Sequence, residues 1–200
     1  MNPQYTVSYA SSKHTHSLIK MWKSCFSNTD QFDNFYFNKV YNPNENLILI
    51  IDNTIVASLQ IIPYRLQIAN SLSQGGYIFG VMTHPDHRKK GYMAQLLNAS
   101  FDEMIKKGYD YTFLIPEKRW LARMYEKYGF RLLKSNPQPP VNKVLKSPEQ
   151  WELIKQNYFD DYEVWLKEEI YEPKEHKGMI KRLNTEAEEI TTLYMGMMLD

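Results

Sequence analysis

The middle of the chain contains a run of apolar residues followed by a helical pattern of apolar positions. Residues 77–82 are almost all apolar, which is typical of a strand that is buried on both faces. Within it, Gly80 indicates a bulge or the close approach of another group, and Pro85 ends the run. Beyond it, apolar residues recur at spacings of four, four and three, at Met93, Leu97, Phe101 and Met104. The pattern predicts a strand, a turn and an amphipathic helix, which ends at Gly108 after two lysines.

Shorter patterns predict elements on both sides of this unit. In chain order they are a strand at 5–9, helices at 18–26 and 32–40, a hairpin of strands at 47–51 and 55–62, a strand at 111–115 and a helix at 117–128. Asp52 and Asn53 supply the hairpin turn, and Pro63 marks a bulge or an edge strand. Strands and helices mixed in this order predict an α/β (α+β) fold.

Residues 32–41, which include the second helix, carry five aromatic residues before Asn42 and Pro43 break the pattern. From the residues alone, we expect these rings to pack in the core.

The composition changes after residue 134, where three prolines stand close together in a stretch that excludes a helix or a central strand. We therefore expect a core at 1–135, and a proline-rich linker plus a C-terminal extension at 136–200 that packs on the core. Within the extension, the patterns predict a helix near 148–156, strands at 163–166 and 179–183, and an apolar run at 191–199.

Composition and charge exclude several classes of protein. An apolar fraction of 43% and a charged fraction of 24% are those of a soluble globular protein, and a net charge of +1 argues against a dedicated nucleic-acid binder. Cys25 is the only cysteine, so an intrachain disulfide is impossible. With no apolar run of about 20 residues and no signal-like start, we expect a cytoplasmic protein without membrane association.

The turn between the central strand and its helix is locally basic. Arg88, Lys89 and Lys90 precede Gly91 at the predicted helix start, where free backbone N–H groups and the helix dipole favour an anion. Gly91 permits close approach to the main chain. This arrangement predicts a phosphate or pyrophosphate site, and the alternative is a solvated loop.

Residues 88–93, Arg-Lys-Lys-Gly-Tyr-Met, resemble the R/Q-x-x-G-x-G/A signature of the GNAT superfamily of N-acetyltransferases. Met93 departs from that signature, but a larger residue at this position resembles the enhanced-intracellular-survival branch. Residues 125–130, Tyr-Glu-Lys-Tyr-Gly-Phe, are similar to the Y-x-K-x-G-F segment of the same superfamily. Over residues 5–133, the resemblance implies a mixed, largely antiparallel, splayed sheet flanked by helices.

The resemblance also implies a reaction and its site. Acetyl-CoA would donate an acetyl group to a primary amine of a small molecule or peptide, by direct attack through a tetrahedral intermediate. Tyr125 would be the general acid, and the backbone N–H of Met82 would polarise the thioester carbonyl. As an alternative to core packing, some of Phe35, Tyr36 and Phe37 would line the acceptor pocket, which the resemblance places at the early helices. The implied acetyl-CoA contacts are the pantetheine-binding main chain of Val81, Met82 and Thr83, and the pyrophosphate turn of Arg88, Lys89, Lys90, Gly91, Tyr92 and Met93.

Several points stay open at this stage. The candidates for the general base are Glu117, judged by position only, the C-terminal carboxylate of Asp200, which the resemblance to the enhanced-intracellular-survival branch implies, and a chain of water molecules. His84, Asp86 and His87 lack a fourth ligand at a recognisable spacing, so we expect no metal. The alternative functions are a non-catalytic acyl-CoA-binding or regulatory module and, less favoured, an oligonucleotide-binding surface. Neither the amine nor the oligomeric state follows from the sequence.

Overall fold

The structure is a computed structural model that describes residues 4–133, 143–145 and 178–191. Its strands are β1 (Thr6–Tyr9), β2 (Asn46–Ile51), β3 (Thr54–Ile68), β4 (Ser71–Thr83), β5 (Tyr111–Leu114), β6 (Arg131–Leu132), β7 (Lys143–Leu145) and β8 (Met179–Arg182). Its α-helices are α1 (Thr15–Cys25), α2 (Asp30–Phe35), α3 (Tyr92–Lys106) and α4 (Arg119–Glu126).

The hydrogen-bonded strand order is β1-β2-β3-β4-β5-β8-β6, with β7 paired to β3. The β4–β5 pair is parallel, whereas β1–β2, β2–β3, β3–β7, β5–β8 and β6–β8 are antiparallel. The expected mixed α/β fold with a largely antiparallel open sheet and flanking helices is thus confirmed. None of the described helices is long and apolar enough to cross a membrane.

The chain divides into two compact units. The first contains the described residues up to Ile62 together with Ile78–Glu103, and the second contains Pro63–Tyr77 and the described residues from Met104 onward. The core of the first includes Leu18, Ile48, Leu49, Val56, Leu59 and Leu97, and that of the second includes Leu66, Met104, Tyr111, Phe113, Phe130 and Met179. The predicted boundary near residue 135 falls among undescribed residues, so that division stays a prediction.

The predicted hairpin is present, and its second strand is longer than expected. Asp52 and Asn53 both have positive φ, as a tight two-residue turn requires. Strand β3 continues through Pro63, which lies between the end of its pairing with β2 at Gln60 and the start of its pairing with β7 at Arg65. Neither of these two ladders therefore needs the N–H that proline lacks. Strand β3 is not an edge strand, since it lies between β2 and β4 in the sheet order.

Three other elements differ from the sequence prediction in their bounds. The helix predicted at 32–40 is α2 followed by a π-helical turn at Tyr36–Val40, where the N–H of Tyr41 donates to the carbonyl of Tyr36. The helix predicted at 117–128 is only α4, because Lys118 is extended. The strand expected at 179–183 is β8, whereas the elements expected at 148–156, 163–166 and 191–199 lie essentially outside the described residues.

Candidate functional site

Strand β4 leaves regular geometry shortly before its end. Gly80 has a φ of +59°, and an added Cβ there would lie 2.8 Å from Cζ3 of Trp22. The sequence prediction that this glycine marks a bulge or a close approach is consistent with both observations. Residues 79–81 are half-buried, between the buried Ile78 and Met82. The bend therefore coincides with a partly exposed part of the strand.

The basic turn joins β4 to the start of α3. Lys89 and Gly91 have positive φ, and nothing lies within 4 Å of where a Cβ of Gly91 would be. The N–H of Gln95 donates to the carbonyl of Gly91 at 3.1 Å, so the helix begins directly after the glycine. The N–H groups of Tyr92, Met93 and the following alanine thus have no acceptor within the helix. An anion that approaches Gly91 would meet them without steric obstruction.

The three cations of the turn are placed differently. The Nε atom of Arg88 donates to the carbonyl oxygen of Thr83 at 3.2 Å, and its Nη2 lies 3.6 Å from the Sγ atom of Cys25. The Cys25 thiol also donates to the Thr83 carbonyl at 3.5 Å. Lys89 and Lys90 are both exposed. The arginine therefore lies against the end of β4, while the two lysines extend into solvent.

Rings from α1, α2, the π-helical turn and β4 form an aromatic cluster in the first unit. Its members are Trp22, Phe26, Phe32, Tyr36, Phe37, Tyr41 and Phe79. The indole of Trp22 is central: its centroid lies 5.1 Å from that of Tyr36, 5.5 Å from that of Phe37 and 6.0 Å from that of Phe79. Burial raises the pKa of Tyr41 to about 12. Phe35, the other predicted pocket residue, is also buried.

A buried acidic residue supports this cluster. Asp33 is 4% exposed, and its Oδ1 atom accepts hydrogen bonds from Nε1 of Trp22 at 2.7 Å and from Nδ2 of Asn28 at 3.3 Å. Sequence analysis assigned Asp33 no role. In the sequence Asp33 is simply an acidic residue between Phe32 and Phe35, and that pattern does not name its partner eleven residues upstream.

The second unit carries Tyr125 on α4. Its side chain is 6% exposed, its ring lies 5.7 Å from that of Phe130, and burial raises its pKa to about 12. Glu117 is exposed in the segment before α4. Asp200, the third candidate for acid–base chemistry, lies outside the described residues. At neutral pH Tyr125 is therefore a protonated hydrogen-bond donor.

The two histidines after β4 have local structural roles. The Nδ1 atom of His84 accepts a hydrogen bond from the N–H of Asp86 at 3.3 Å and so caps a short 3₁₀ turn. The ring of His87 lies 5.7 Å from that of His84 and 6.3 Å from that of Tyr92. Among the described residues, no group of three histidine, cysteine or acidic side chains is arranged to hold a metal ion.

Comparison with known proteins places these features in context. A family model described as an acetyltransferase (GNAT) domain matches residues 6–133. No curated protein sequence matches the chain. The fold is similar to that of a GCN5-related N-acetyltransferase from Anabaena variabilis, with a TM-score of 0.58, 17% identity and coverage of 65% of this chain and 32% of that chain.

Two other solved structures show the range of the likeness. Eis1 from Mycobacterium abscessus has a TM-score of 0.53 at 11% identity, over 66% of this chain and 32% of that chain. A GNAT family N-acetyltransferase, YhbS, from Escherichia coli in complex with CoA has a TM-score of 0.61 at 11% identity. The match covers 98% of this chain and 91% of that chain. At these identities the likeness shows a shared fold alone. This chain spans about a third of the length of the Anabaena and Mycobacterium proteins.

Proposed function

The chain belongs to the family of GNAT acetyltransferase domains, and from that membership we propose that it transfers an acetyl group from acetyl-CoA to a primary amine. The amine nitrogen attacks the thioester carbonyl carbon, a C–N bond forms, and the C–S bond breaks with release of the CoA thiolate. The attacking amine must be neutral, and the carbonyl oxygen needs a donor while it is negative. We also propose that the chain is related to the enhanced-intracellular-survival branch. The support from Eis1 is limited to the shared fold.

The observation that carries this proposal is the geometry of residues 88–93. A helix of 15 residues begins directly after Gly91, and the space beside that glycine is open. Two exposed lysines add positive charge, and the pyrophosphate of acetyl-CoA would accept hydrogen bonds from the first N–H groups of α3. Arg88 would reach the same group by leaving the Thr83 carbonyl, or would hold the end of β4 in place.

The end of β4 supplies a place for the pantetheine arm. An extended amide-containing chain pairs with exposed main-chain groups as an added strand does. Val81, Met82 and Thr83 follow directly after the bend at Gly80, where β4 departs from extended geometry. In this proposal the backbone N–H of Met82 donates to the thioester carbonyl oxygen as negative charge develops on it.

The acid and the acceptor site stay proposals that rest on the resemblance. Tyr125 is protonated at neutral pH, as an ordinary tyrosine is, and burial raises its pKa further to about 12. A protonated phenol suits a donor to the departing thiolate. The aromatic cluster, including Tyr36 with Phe35 beside it, would adjoin the amine, since its member Phe79 is two residues before Val81 on the same strand. The base is Glu117, Asp200 or water.

Thermal unfolding with and without acetyl-CoA tests the donor site. A ligand that binds only the native state adds about 2.7 kcal/mol at a hundredfold excess over its Kd, so the wild type should melt at a clearly higher temperature. The double variant Arg88→Ala, Lys90→Ala should lose most of this shift. Lys107→Ala is a matched control, since it removes a cation after the opposite end of α3 and should keep the shift.

Turnover separates an enzyme from a non-catalytic acyl-CoA-binding module. Thiol release from acetyl-CoA is measured with a panel of primary amines: polyamines, aminoglycosides, peptides with free N-termini and lysine. Stabilisation by acetyl-CoA without thiol release by any amine would favour the binding module. If acetyl-CoA stabilises neither the wild type nor the variant, residues 88–93 form a solvated loop and the proposal is wrong.

A further inference from the structure

We propose that Trp22 and Asp33 are positioning residues for the acetyl-CoA donor strand. The indole of Trp22 holds the bend of β4 at Gly80, and the carboxyl group of Asp33 holds the indole. This inference rests on the proposed function, because it concerns the placement of the main chain that would bind the pantetheine arm. All the contacts involved lie within the first unit.

The first step is the contact between the indole and the bend. With a φ of +59°, Gly80 has a backbone conformation that side-chain-bearing residues rarely adopt. A Cβ on Gly80 would be 2.8 Å from Cζ3 and 3.6 Å from Cη2 of Trp22, so the edge of the indole occupies the position that a side chain would fill. The same indole lies 6.0 Å from the ring of Phe79, the residue before the glycine. Trp22 thus contacts the bend from two adjacent positions.

The second step is what fixes the indole itself. Trp22 is 3% exposed, and its only polar atom donates to Oδ1 of Asp33 at 2.7 Å. Asp33 is as deeply buried, and Asn28 donates to the same oxygen. Burying a carboxyl group costs free energy, which the two neutral donors and the electrostatic attraction of Lys23 offset. An apolar residue at this position would avoid that cost but could not accept a hydrogen bond from the indole. In this proposal the carboxyl group of Asp33 fixes the rotation of the Trp22 ring, and that ring fixes the backbone conformation of Gly80.

The third step connects the bend to the ligand. The residues directly after Gly80 carry the main-chain groups proposed to pair with the pantetheine arm. A change in the backbone at Gly80 alters the direction of the N–H and carbonyl groups of Val81 and Met82, and hydrogen bonds weaken steeply with misalignment. The turn at 88–93 lies beyond the end of β4 and has hydrogen bonds of its own: the N–H of Arg88 donates to the carbonyl of Pro85, and the N–H of Gln95 donates to that of Gly91. Loss of the indole contact should therefore weaken binding of the pantetheine arm and leave binding of the pyrophosphate unchanged.

This separation gives the test. Calorimetric titration measures the Kd of two probes, acetyl-CoA and adenosine 3′-phosphate 5′-diphosphate, the nucleotide end of CoA without the arm. In Asp33→Leu we expect the Kd of acetyl-CoA to rise about tenfold, the equivalent of one main-chain hydrogen bond, with the nucleotide Kd unchanged. In Asp33→Asn both Kd values should stay near the wild type, because the amide oxygen still accepts from the indole.

Two further variants keep the test decisive. Trp22→Phe removes the N–H and the reach of the indole but keeps an aromatic ring, and should reproduce the loss for acetyl-CoA alone even if Asp33→Leu does not fold. Leu49→Ala removes a fully buried side chain of β2 in the same unit and controls for general destabilisation. It should leave both Kd values unchanged.

The inference is overturned if the Asp33→Leu and Trp22→Phe proteins bind acetyl-CoA as the wild type does, or if both probes weaken together in them. It is also overturned if Leu49→Ala selectively weakens acetyl-CoA. A wild type that binds neither probe contradicts the proposed function itself. The two failures are therefore distinguishable in one set of titrations.

Discussion

Replacement of Gly80 by alanine measures how tightly Trp22 holds the bend in β4. The new Cβ imposes two costs. A left-handed backbone costs an alanine about 1–2 kcal/mol relative to glycine, and forcing a methyl group into a closed contact costs about 1–3 kcal/mol. Since the Cβ would lie 2.8 Å from a ring carbon that is held by a hydrogen bond, both costs apply. The expected loss in the free energy of unfolding is about 2–5 kcal/mol.

Gly91→Ala separates the two costs. Gly91 also has positive φ, but nothing lies within 4 Å of its Cβ position, so this variant should lose only the backbone share, about 1–2 kcal/mol. Urea unfolding of the two variants and the wild type, followed by tryptophan fluorescence, gives the free energies to compare. In a Trp22→Phe background the loss caused by Gly80→Ala should shrink, since the contacting ring edge is gone. Equal losses for Gly80→Ala and Gly91→Ala would refute the contact.

The remaining predictions concern Tyr125. Its pKa is raised to about 12 by burial, whereas an unfolded tyrosine titrates near 10, so the native state retains a proton that the unfolded state loses as pH rises. This contribution to stability is complete below pH 10 and is lost between about pH 10 and pH 12. Urea unfolding at pH 8 and pH 11 measures how much free energy of unfolding each protein loses between these values, and Tyr125→Phe should lose about 1 kcal/mol less than the wild type. An equal loss in the two proteins would contradict the burial argument. With an amine substrate from the panel, Tyr125→Phe should lower kcat about ten- to a hundredfold, since a hydrogen bond to a charged atom contributes about 1.5–3 kcal/mol. The Kd of acetyl-CoA should stay unchanged. An unchanged kcat would exclude Tyr125 as the acid.

Much of the fold follows from local patterns, because the interactions that create them are local. Alternation defines β1, the helical spacing of apolar residues defines α3, and a polar dipeptide turns the hairpin between β2 and β3. Each depends on residues a few positions apart, which the sequence places side by side. The basic turn before α3 is equally local, and its predicted strand, turn and helix order is present in the structure.

The parts that the sequence did not reveal depend on contacts between distant residues. The π-helical turn at Tyr36–Val40 carries two rings, those of Tyr36 and Phe37, that both lie against Trp22 of α1. Helical spacing did not indicate this turn, because the spacing takes no account of contacts with another helix. Gly80 was identified as a special position, but its partner came from α1, 58 positions earlier, and the acid that fixes this partner came from α2.

Burial raises the pKa of Tyr125 and thereby limits its proposed role as an acid. A phenol with a pKa near 12 and a thiol with a pKa near 8.5 differ by about 3.5 units, so complete proton transfer to the thiolate is uphill by about 5 kcal/mol. A hydrogen bond to the departing sulfur carries no such cost, and it strengthens as negative charge develops there. The thiolate can then take its proton from water after release. Tyr125 would act as an electrostatic donor more than as a full acid, which is why its removal should slow turnover by a limited factor and not abolish it.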